Sequence, residues 1–77
     1  MGFNPAAMFY YLSALKTFDG MTDSEVREVG YEIALIGQNG IKHNDPDSRY
    51  FVKSLNKELS GLQALSHMFV AWETIDA

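Results

Sequence analysis

Twice in this chain a hydroxyl residue is followed three positions later by a side chain that can reach back to it: Thr22 with Glu25, and Ser60 with Gln63. Each pair is a capping box, in which two otherwise free backbone N–H groups at a helix start are satisfied reciprocally. The two starts divide the chain into helical segments and a connection. A third start precedes them: Asn4 is a good N-cap, and Pro5 sits where a missing N–H costs nothing. No Gly or Pro interrupts the run from Ala6 to Asp19, and Gly20 supplies a stop. The expected helices are 5–19, 23–37 and 60–75, joined by a loop over 38–59. The two to four residues between the first two helices predict an antiparallel helical hairpin.

Apolar residues recur at three- and four-residue spacing in each segment, which places them on one helical stripe. Met8, Tyr11, Leu12, Leu15 and Phe18 mark the first helix, widened by Ala7 and Ala14. Val26, Val29, Ile33 and Ile36 mark the second. Leu62, Leu65, Phe69 and Trp72 mark the third, extended by Met68 and Ile75. The expected core is Leu12, Leu15, Phe18, Val29, Ile33, Leu65, Phe69 and Trp72. Emptying the Trp72 site is then expected to cost roughly 3–5 kcal/mol. In the connection, Asn39-Gly40 reads as a turn and Asp45-Pro46 as a possible helical start. Tyr50 to Leu55 suits a brief extended piece, and Tyr50, Phe51, Val52 and Leu55 are its expected anchors.

Composition bounds what such a chain can be. At 77 residues it is at most one domain, expected to span 1–77, and it buries only about 60–65% of the surface its unfolded form exposes. It has no cysteine, hence no disulfide staple. Six Lys and Arg against ten Asp and Glu give a net charge of -4, which argues against nucleic acid as a partner. Apolar residues make up 47% and charged residues 21%, a globular balance. No apolar run approaches the roughly 18–20 residues of a membrane span, polar faces are not lysine-rich, and the start MGFNP is not a signal peptide. The expectation is a cytoplasmic all-α domain with no membrane partner.

Several apolar residues fall off these stripes. Phe9 and Tyr10 lie beside Ser13, Lys16 and Thr17; Tyr31 and Leu35 lie opposite Val26 and Ile33; Val70 lies among Gln63, Ser66 and Glu73. Either the long loop covers some of them, or they meet a partner. Phe9, Tyr10, Tyr31 and Leu35 are the expected interface. Gly30, Ala34 and Gly37 form a line of small residues. A helical glycine costs roughly 1 kcal/mol relative to alanine, so Gly30 with Ala34 points to close packing by a neighbouring helix or a ring such as Phe18 or Trp72. Gly37 reads as a C-cap.

Recognisable catalytic or metal-binding patterns are lacking. His43 and His67 have no second histidine at helical spacing, so neither forms a metal pair. His67 falls on the polar face and reads as solvated or capping. Asn44, Asp45, Asp47 and Ser48 are oxygen-rich, but Pro46 and Arg49 break the calcium-loop pattern, and the cluster reads as a turn and cap. Glu25, Glu28 and Glu32 read as a solvated acidic ridge. No cofactor and no enzymatic activity are expected. The competing class is a small hydrolase, or an accessory domain of one, pairing His43 or His67 with Asp45 or Glu73.

Two resemblances can be stated. Ala14-x-x-x-Phe18 in the hairpin loosely resembles a tetratricopeptide-type helical pair, without that family's repeat period or its Trp-Leu-Gly-Tyr positions. The stretch Tyr31-Glu-Ile-Ala-Leu-Ile-Gly-Gln-Asn-Gly-Ile41, with Asn44-Asp-Pro46, Lys53-Ser-Leu55 and Ser60-Gly-Leu62, resembles a segment near the C-terminus of longer uncharacterised bacterial proteins. Running from about Ala7 to Ile75, that resemblance implies an excised domain and brings no activity. The expected function is a protein–protein interaction or structural module, self-associating as a homo-oligomer or docked on a parent-protein domain.

Overall fold

The computed structural model describes residues 5–42, 45 and 47–76. The expected N-cap Asn4, together with His43 and Pro46, lies outside them. Three helices dominate: α1 (Pro5–Phe18), α2 (Asp23–Gln38) and α3 (Gly61–Asp76). Gly20 ends α1 at φ +83°, a left-handed conformation that glycine adopts without a Cβ penalty. The turn closes as the Met21 N–H donates to the Phe18 carbonyl at 3.0 Å. Both capping boxes form. The Thr22 N–H donates to Glu25 Oε1 at 2.8 Å and the Glu25 N–H to Thr22 Oγ1 at 3.2 Å. The Ser60 N–H donates to Gln63 Oε1 at 3.1 Å and the Gln63 N–H to Ser60 Oγ at 3.2 Å. Gly37 is not a cap: α2 continues through it, and Asn39 is the C-cap.

The expected 38–59 loop is in large part a hairpin. Strands β1 (Arg49–Val52) and β2 (Lys57–Ser60) pair antiparallel, Tyr50 opposite Leu59 and Val52 opposite Lys57. A 3-10 turn at Lys53–Leu55 and Asn56 in the left-handed conformation (φ 54°, ψ 42°) reverse the chain. Asparagine tolerates that conformation better than most residues. Val52 and Leu59 are buried, while Phe51 on the opposite face is exposed, so Phe51 is not an anchor. Two such short strands have little stability alone; helix contacts hold them. Glu32 of α2 contributes, its carboxylate accepting from the Ser54 N–H at 2.9 Å and from the Lys53 N–H. Glu32 is therefore a tie between elements rather than part of a solvated ridge. The acidic segment forms the expected turn, Asp45 accepting from the Asp47 N–H and from Ser48 Oγ, each at 3.0 Å, and its described residues start no helix.

Helix α3 packs on both α1 and α2, which make few direct contacts with each other. The molecule measures 30 × 30 × 19 Å. The chain is flattened along one axis. The buried set is small: Ala14, Phe18, Val26, Val29, Ile33, Val52, Leu59, Ala64, Val70 and Ala71, with Gly30 and Gly61. At Gly30 an added Cβ would stand 3.2 Å from Ala71 Cβ and 3.3 Å from Trp72 Nε1. Ala34 beside it is half-buried.

Five of the eight expected core residues lie elsewhere. Leu12, Leu15, Phe69 and Trp72 are exposed and Leu65 is half-buried, whereas Phe18, Val29 and Ile33 are in the core. The reason is a choice of stripe on α3. Gly61, Ala64, Met68, Ala71 and Ile75 have the same three- and four-residue spacing as Leu62, Leu65, Phe69 and Trp72, one position earlier. Small residues let helix axes come close, so the first stripe turns inward and the bulky one outward. His67 and Val70, expected on the polar side, are buried for the same reason, at 1% and 2% exposure.

Candidate functional site

The outward row on α3 is the most distinctive surface of the molecule. Leu62, Phe69 and Trp72 are 42%, 58% and 40% exposed, and Leu65 lies half-buried between them. Separations of three, four and three residues align them along one side of the helix. Trp72 lies over Gly30 of α2 and, with Tyr31, Arg27, Ile75 and Asp76, lines a pocket of about 210 Å³. Through Trp72 the row adjoins Tyr31 and Leu35 on the outer side of α2. Those two also line an open groove of about 670 Å³ with Glu28, Glu32, Ile36 and Lys53.

Of the expected interface residues, Phe9, Tyr31 and Leu35 are exposed and the hairpin does not cover them. Tyr10 is half-buried, its ring edge-on to Phe9 with centroids 5.6 Å apart. Tyr11, Leu12 and Leu15 extend the apolar surface of α1. The expected list therefore named the outer side of α2 and part of α1, and left out the α3 row. The signal for that row was the parallel stripe of Gly61, Ala64 and Ala71, whose spacing competes with that of the large residues.

His67 is the one buried ionisable side chain among the described residues. Nδ1 lies 2.6 Å from the Gln63 carbonyl, which can only accept, so Nδ1 carries a proton. Nε2 lies 2.9 Å from Thr17 Oγ1, itself 3.0 Å from the Ser13 carbonyl. In neutral His67 the Thr17 hydroxyl donates to Nε2; in the cation Nε2–H donates to Thr17, which turns its own proton to Ser13. The Phe18 ring packs edge-on at 5.7 Å. These contacts tie α1 to α3. Neither Glu73 nor Asp45, the carboxylates considered as hydrolytic partners, is among the hydrogen-bond partners of His67. His43 lies outside the described residues.

Desolvation holds the His67 pKa below its usual value, with the Gln63 carbonyl opposing and the Lys57 charge adding to the depression. A depressed folded-state pKa means the unfolded chain binds more protons below about pH 6.5. Stability is therefore full above that pH and falls as acid carries the solution down towards the folded-state value. Thermal melts between about pH 7.5 and 5.5, compared with those of a His67→Gln variant that keeps His43, isolate this effect. The expected result is a falling midpoint that His67→Gln flattens. An unchanged slope in the variant would assign the effect to another group.

Among the described residues, no three His, Asp or Glu side chains gather as a metal site, and no helix is long and apolar enough to cross a membrane. Compared with known proteins, the chain matches no family model, no curated protein and no solved structure.

Proposed function

We propose that this chain is a protein-interaction module that associates through its outward apolar surface, in the first place with copies of itself. The observation that carries this reading is the inversion of side-chain size. Alanine, glycine and valine supply much of the interior, while Phe9, Tyr31, Leu35, Leu62, Phe69 and Trp72 stand on the outside. A single exposed apolar residue is ordinary. The row of leucines and aromatics on α3, joined through Trp72 to Tyr31, is the material of interface centres, where aromatic anchors carry much of the energy. The surface needs no cofactor and no moving part, because helix packing presents it preformed.

Sedimentation equilibrium from about 10 µM to about 1 mM, which spans weak association, tests the reading. The expected result is an average mass that rises with concentration towards an integral multiple of the monomer. A monomer throughout that range overturns self-association.

A further inference from the structure

We propose that two copies of this chain pair through the outer faces of their α3 helices, running antiparallel about a two-fold axis at the level of His67. This inference rests on the interaction reading above and specifies its geometry. The first argument is the row itself. The separations three, four, three in Leu62, Leu65, Phe69 and Trp72 read the same in either direction. Reversing a second copy sets Leu62 opposite Trp72 and Leu65 opposite Phe69, each contact then repeated by the symmetry of an isologous interface. Every layer joins one leucine to one aromatic ring, so the interaxial distance stays even along the seam. A parallel pair would stack Trp72 on Trp72 and Phe69 on Phe69 at one end, with leucine on leucine at the other, and the helices would splay.

Charge makes the same choice. The acidic residues of α3 are Glu73 and Asp76, both near its C-terminal end, with no Lys or Arg in the helix and His67 turned to the interior. Parallel pairing brings the two acidic ends together. Antiparallel pairing sets them beside the partner's α3 N-terminus, the positive end of the helix dipole, where Lys57 and Glu58 add no net charge. Shape is compatible as well: α3 packs on both other helices with this row turned outward, so a second copy can seat on it without displacing either helix.

The chain has no cysteine, so single introduced cysteines carry spin labels cleanly. In the antiparallel register, labels at Ser66→Cys in the two copies sit about 3 Å apart along the seam and labels at Glu73→Cys about 18 Å, at a rise of about 1.5 Å per residue. Dipolar spin measurements are therefore expected to give a clearly shorter distance for position 66. Phe69→Ser is expected to raise the dimer dissociation constant at least about tenfold, with the helical circular dichroism signal retained, and Phe51→Ser on the exposed face of β1 to leave it unchanged. A dimer that tolerates Phe69→Ser, or shows equal distances at the two positions, overturns the α3 pairing and leaves self-association standing. A monomer at every concentration overturns both.

Discussion

Truncation of Ile33 to alanine is expected to remove roughly 3–5 kcal/mol of stability, the cost of deleting a large buried aliphatic side chain whose site cannot fully collapse. Ile33 is the largest of the fully buried side chains, at 0% exposure. A chain of 77 residues has in total about 4–12 kcal/mol at ordinary stability per residue, so the variant should be marginal or unfolded at ambient temperature. Trp72→Ala is the informative contrast. Trp72 is the larger side chain but is 40% exposed. Its truncation is expected to cost only about 1–2 kcal/mol, because much of its apolar surface never left water. Urea denaturation of the two variants checks the order. A larger loss for Trp72→Ala than for Ile33→Ala would place the core where the hydropathy pattern alone puts it.

Gly30→Leu is expected to cost about 3 kcal/mol, the upper end for overpacking a filled site. Even the first carbon of the new side chain would stand 3.2 Å from Ala71 Cβ, and Ala71 is fully buried on the helix that must recede. The remaining carbons would have to lever α2 and α3 apart, losing contacts along the whole seam. Gly37→Ala is the control on the same helix. There an added Cβ meets only Ile41 Cδ1, at 3.8 Å, and the position is exposed. Helix propensity then acts alone, and a gain of up to about 1 kcal/mol is expected. Thermal midpoints moving in opposite directions at positions 30 and 37 would establish that the α2–α3 spacing is set by a missing side chain. A loss at both positions would show that glycine is needed for its backbone freedom instead.

Local chemistry was legible residue by residue. Thr22 with Glu25, Ser60 with Gln63, and Gly20 each act through atoms within a few positions along the chain, so their hydrogen bonds and turn geometry follow from spacing alone. On α2 the apolar stripe was legible too: Val26, Val29 and Ile33 are the larger set there and also the buried one, with only Gly30 of the small-residue line beside them fully buried. The hairpin of β1 and β2 was only half legible. Tyr50 to Val52 suggested an extended piece, but its mate, Lys57-Glu58-Leu59-Ser60, carries too little β-forming character to be seen without its partner. Glu32 reaching the turn at Lys53 and Ser54 spans more than twenty residues, and no local pattern announces it.

For α3 and its surface, the primary structure determined that a helix starts after Ser60, runs to about Asp76 and carries two apolar stripes one position apart. Tertiary structure alone decided which stripe faces in. That choice depends on how closely α1 and α2 can approach, on the gap at Gly30 opposite Ala71, and on Thr17 being placed to meet His67. A periodicity analysis weights side chains by hydrophobicity and selects the larger set. Packing weights them by the space between axes, and here the small set fits and the large set is left outside.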